Sequence, residues 1–168
     1  MTFGWVLFSP NQRPRAGAGT VPATLAAQFK TRKNQIFIGE LLGALSAVHT
    51  CRAQLEGHRL LHFVDNQGAL AALISGFSSQ DDCCSVACLY QLIAAEAGIR
   101  PWFEYVESEA NIADGFSRDG LAWRFSREAL QLKCTAEDAR LPDLSSLLTA
   151  PVSALGNLSA LLRGEASV

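Results

Sequence analysis

Apolar positions in this chain come in short runs of two kinds, and the stretch LLHFVDNQGALAAL at residues 60–73 holds one of each. Arg59–Val64 (RLLHFV) is nearly continuously apolar and of strand length, which predicts a buried strand stopping at Asp65. From Asn66 the spacing turns helical, predicting a short helix over 66–74 closed by Gly76. Upstream, FGWVLF at residues 3–8 is aromatic and β-branched enough to predict a strand, ended by a Pro/Gly-rich loop over 9–19. Residues 20–30 (TVPATLAAQFK) read as a second, irregular strand that Pro22 confines to a sheet edge.

Between these runs, Ile36, Leu41, Ala44, Leu45, Val48 and Cys51 keep helical spacing, so a helix is expected over 35–55 with its stop at Glu56-Gly57. A further helix over 83–97 carries Val86, Leu89, Tyr90 and Ile93 on one face and ends at Gly98. Residues 99–107 (IRPWFEYVE) alternate as a strand does, and 110–117 (ANIADGFS) form a turn or short helix. Strands alternating with helices imply an α/β fold, a mixed sheet flanked by helices. Beyond Arg118 the periodicity fades, leaving a domain over 1–118 and a tail or linker of low order over 119–168, with a helical patch near Glu128 to Leu132.

Composition narrows this picture only modestly. A chain of 168 residues with 49% hydrophobic and 18% charged residues is a globular protein with room for one domain and its core. Its net charge of −2 offers no global positive field for nucleic acid, yet it leaves room for local backbone contacts around an acidic site. Cysteines at 51, 83, 84, 88 and 134 form no CxxC pair, and no secretory signal precedes them, which predicts reduced thiols in an intracellular compartment, cytoplasm or nucleus. No apolar run is long enough to span a membrane.

Three acids stand at informative places. Glu40 lies one helical turn from Ile36 and Ala44, as either a solvated rim residue or a functional one. Asp65 sits where a strand meets a helix, a position that suits an N-cap as well as a ligand, and the same holds for Asn66. Asp114-Gly115 is also a common turn pair. Taken together they suggest one site, because groups at strand ends converge at one edge of an α/β sheet. Three close carboxylates repel one another, and divalent cations are what usually hold such a cluster together. Two Mg²⁺ ions could activate water and stabilise a leaving oxygen in phosphodiester hydrolysis.

QIFIGELLGALSAV around Glu40, HFVDNQGALAALISG around Asp65 and ESEANIADGFSR around Asp114 resemble, in order and interval, the motifs of the ribonuclease H domain of retrotransposon reverse transcriptases. The resemblance spans residues 3–118. It implies a ribonuclease H-like fold, with Glu40, Asp65 and Asp114 as catalytic metal ligands for two Mg²⁺ or Mn²⁺ ions. It also implies Asn66 and Gln67 beside the substrate backbone, an RNA/DNA hybrid whose RNA strand is cut, and the rest of a reverse transcriptase polyprotein as partner.

One departure matters. That family's first strand carries a further catalytic Asp and lies centrally in the sheet, whereas Gly4-Trp5 here matches its second strand and no Asp precedes Asp65. The expectation is a domain truncated at its N-terminus, with two strand edges left exposed and little or no activity in this form. Two other readings remain open: a non-catalytic ribonuclease H-like module of a polyprotein, and an unrelated α/β binding protein whose acids are caps and turns.

Overall fold

The structure, a computed structural model, describes residues 1–32, 35–119 and 133–144. Along the chain the elements are β1 (Thr2–Leu7), β2 (Arg15–Thr20), α1 (Ala23–Ala26), α2 (Ile36–Thr50), α3 (Arg52–Leu55), β3 (Arg59–Val64), α4 (Gln67–Ser75), α5 (Asp81–Glu96), β4 (Arg100–Tyr105), a 3₁₀ turn at Ser108–Ala110, α6 (Ile112–Asp119) and β5 (Thr135–Asp138). The fold is α/β, with strands gathered into two sheets. β1 pairs antiparallel with β2, and β2 pairs parallel with β5, so this sheet is mixed. β3 and β4 pair in parallel, Leu61 opposite Trp102 and Val64 opposite Tyr105.

The second strand lies at Arg15–Thr20, inside what reads as a loop, while Ala23–Ala26 in the expected strand is a helical turn. RAGAGT has little strand propensity of its own. It is held by register: Phe3 faces Gly19 and Trp5 faces Gly17. A Cβ on Gly17 would fall 2.4 Å from the Trp5 indole, and one on Gly19 2.7 Å from the Phe3 ring. The two aromatic rings cover the glycines, which supplies the packing that the strand's own side chains lack.

α2 forms the centre of the core. Leu41, Leu42, Leu45 and Val48 are fully buried, and the helix contacts β1 on one side and α4 and α5 on the other. It ends at Thr50, with the short α3 following Cys51, rather than running through to residue 55. α4 has the expected ends: the Asn66 side chain accepts a hydrogen bond from the Ala69 amide at 2.9 Å, and Gly76 closes the helix in the left-handed region at φ 65°. At the start of α5, Asp82 is buried and accepts from the amides of Lys30 and Cys83, both at 2.9 Å, and from the Arg32 guanidinium. These bonds hold its carboxyl below the ordinary range despite burial and fasten the segment before α2 to α5.

β3 and β4 turn Leu60, His62, Val64 and Phe103 toward the helices. His62 lies against the Tyr90 and Phe103 rings and shares a 3.0 Å hydrogen bond with the Tyr90 hydroxyl. Burial pushes its pKa down to about 4, so the ring is neutral near pH 7. The opposite face of the same strands exposes Leu61, Phe63 and Trp102.

Within the segment expected as a tail, residues 133–144 are described. Thr135–Asp138 extends the first sheet, and Leu144 is buried in the main core. The helical patch expected near Glu128 to Leu132 lies outside the described residues. All five cysteines are free thiols, and no helix among the described residues is long and apolar enough to cross a membrane.

Candidate acidic site

Three separate elements bring Glu40, Asp65 and Asp114 into one neighbourhood. Glu40 is on the first half of α2, half-buried, with Gly39 beneath the Met1 side chain. Asp65 follows directly on β3. The capping bond at the start of α4 is made by Asn66, which removes the cap as an explanation for Asp65. That same bond commits the Asn66 oxygen to the helix end, while Gln67 in the first turn is exposed.

Asp114 is placed by the way α6 docks. The Asn111 side chain accepts from the Ala113 amide at 3.1 Å, setting the helix start, and the Ser117 hydroxyl donates to the Asp114 carbonyl at 2.9 Å. Phe116, fully buried, packs on Ala16 and Ala18 of β2. Close approach depends on Gly4, where a Cβ would lie 2.7 Å from the Ser117 amide nitrogen and 3.0 Å from the Phe116 backbone. Small residues on one face of β1 and β2 thus let a helix carry a carboxylate toward the end of β3.

Electrostatics report the convergence. The Glu40 carboxyl is pushed up to about 7, chiefly by burial, then by the negative charges of Asp65 and Asp114, and finally by a hydrogen bond that its protonated form makes with Asp65. A proton shared between two carboxylates is one way to relieve their repulsion, and a cation is another. Asp114 has its own cation: the Arg118 guanidinium, one turn along α6, is paired with its carboxylate.

Whether these residues fit a metal can be tested on this arrangement. Glu40 lies within reach of the charges of Asp65 and Asp114, and carboxylate oxygens are the ligands Mg²⁺ and Mn²⁺ favour. Asp114 is close enough to act on Glu40 through its charge, but its carboxylate is engaged by Arg118. Among the described residues no group of three or more His, Cys, Asp or Glu side chains is positioned to hold a metal ion. The donor chemistry is that of a divalent-cation site, carboxylate oxygens from three elements, with the third carboxylate held by an arginine.

Two residues beside the site do not stand out in the sequence. Arg118 could have been found from its spacing, four positions after an acid on a helix. Tyr105 is opposite Val64 in the β3–β4 register, and so beside Asp65. Its hydroxyl is shifted upward by partial desolvation and then by the charges of Glu107 and Asp65. Only strand pairing reveals that neighbour. No protein family, no curated protein and no solved structure matches this chain.

Proposed function

We propose that this chain is a retroelement ribonuclease H-like domain, which in its complete form hydrolyses the RNA strand of RNA/DNA hybrids by two-metal catalysis. The observation that carries the reading is the meeting of Glu40 and Asp65 with Asp114 within range of their charge, from three elements far apart in sequence. Glu40, Asp65 and Asp114 would hold Mg²⁺ or Mn²⁺, which when bound supplies an activated water and charge neutralisation for the leaving oxygen. The protein's part is to fix the carboxylates: Asp65 at a strand end stiffened by the Asn66 cap, Glu40 on the most buried helix, and Asp114 on a helix seated against Gly4. Gln67, exposed beside Asp65, is available to a nucleic-acid backbone.

The two sheets bear on the missing carboxylate. Among the described residues β1 pairs only with β2, and β3 only with β4, so each leaves an unpaired edge on its other side. An extended strand pairing with those edges and ending in an Asp would complete both the sheet and the acid set. In this reading residues 1–168 alone are inactive or weakly active, and the partner is the remainder of a reverse transcriptase polyprotein.

The test is cleavage of a labelled RNA/DNA hybrid with Mg²⁺ by a longer polypeptide that supplies a strand ahead of Thr2. RNA-strand cleavage abolished by Asp65→Asn is expected. No cleavage, or cleavage indifferent to Asp65→Asn, sinks the catalytic reading. The Arg118–Asp114 pair favours a second reading, a non-catalytic ribonuclease H-like module of the polyprotein. That module would bind the hybrid without cutting it in either form.

A further inference from the structure

Arg118 is the basic residue at this acidic cluster whose ion pair is with one of the three candidate ligands. It belongs to α6, the element that carries Asp114, and its position is as firmly set as that of the acid: Phe116 anchors the helix and Ser117 bonds back to the Asp114 carbonyl. The guanidinium itself is different, with its side chain 74% exposed against 29% for Asp114. An exposed pair one helical turn apart is weak and screened by salt. It can open without disturbing the fold.

We propose that Arg118 is a positioning residue, a tethered counter-cation that occupies the Asp114 carboxylate until a divalent cation displaces it. The inference rests on the metal-site reading above. When no cation is bound, Arg118 supplies the positive charge beside the Asp114 carboxylate. The displaced guanidinium would remain on α6 beside the site, where the scissile phosphodiester of a hybrid carries negative charge. Arg118 therefore sets how readily the third carboxylate becomes available, and does not touch the reacting atoms.

Mn²⁺ binding to the full 168-residue chain, followed by electron paramagnetic resonance, tests this without any activity. Arg118→Ala is expected to tighten Mn²⁺ binding about twofold to fivefold at low ionic strength, an advantage that vanishes near 0.5 M salt, roughly where charges beyond a few ångströms are screened. Arg118→Lys should restore weaker binding. In a chain that already carries Asp114→Asn, adding Arg118→Ala should leave Mn²⁺ affinity unchanged. Thermal melts without metal accompany each variant. Mn²⁺ affinity unchanged in Arg118→Ala alone, while Asp65→Asn abolishes binding, overturns the role of Arg118 and leaves the metal site standing. A lowered melting temperature with no gain in affinity assigns Arg118 a structural role and also overturns it. No Mn²⁺ binding by the unaltered chain overturns the role of Arg118, and the hybrid-cleavage test on the longer polypeptide then decides the metal site.

Discussion

The two sheets are built on opposite plans. β1 and β2 are covered on both faces: Phe3 and Trp5 lie in the main core, toward α2, while Gly4, Ala16 and Ala18 receive Phe116 of α6. Among the described residues, β3 and β4 are covered on one face only, by α4 and α5, and present Leu61, Phe63 and Trp102 outward on the other. Small side chains account for the second cover on the first sheet. Where a strand offers glycine and alanine, a helix backbone can come close and bring a functional group with it. The candidate site draws on both plans, with Asp114 delivered by the tightly covered sheet and Asp65 by the end of the half-covered one. Glu40 comes from α2, which packs on β1 and on the helices α4 and α5 that cover the other sheet.

The largest way to break this comparison is to enlarge Gly4. Gly4→Val should force α6 off β1 and destabilise the protein by about 1–3 kcal/mol, as overpacking does. Hydrogen exchange should show protection lost in α6 and kept in β3 and β4. Equal loss in both sheets would mean that they do not respond as distinct regions.

A smaller effect comes from the helix between them. Because the Glu40 carboxyl is raised from 4.5 to about 7, the folded state binds more protons than the unfolded state across that interval. Stability therefore falls as pH rises through it, and the loss is complete above the folded-state value. Glu40→Gln should remove about 1–2 kcal/mol of this loss, discounted for partial exposure, so that melting temperatures near pH 5 and pH 8 draw together. An unchanged pH dependence would show that the Glu40 carboxyl is not raised, either by burial or by the charges of Asp65 and Asp114. The smallest effect is expected on the outward face, where Trp102→Ser should change stability by no more than about 0.5 kcal/mol. A loss of several times that size would show Trp102 to be covered in solution, and the two sheets would then be alike.

Much of the half-covered region was legible in the chain itself. Arg59–Val64 is a strand with the bounds its apolar run indicates, and Gly76 and Gly98 end α4 and α5 at positive φ. These elements are dictated locally, by apolar periodicity and by glycine's tolerance of left-handed backbone. β2 was not legible, because RAGAGT lacks every strand signal except the two rings that cover it from β1. β5 was not legible either: its TAED carries no alternation, and it is held on the β2 edge by the strand pairing and by the Arg15–Glu137 ion pair. At the site, motif spacing selected Glu40, Asp65 and Asp114, but it left open whether Asp65 or Asn66 caps α4 and gave no reason to name Tyr105.

The sequence alone determined an α/β chain with one acid on a helix, one at a strand end and one in a late turn or short helix, since hydrophobic period and helix punctuation act within a few residues. Tertiary structure decided which elements pair, which face of each sheet is covered, and that Glu40 comes within range of the charges of Asp65 and Asp114 while Arg118 pairs with Asp114. Those outcomes depend on close approach and on charge acting through space, between groups as far apart in the chain as Gly4 and Ser117. No local pattern records such distances.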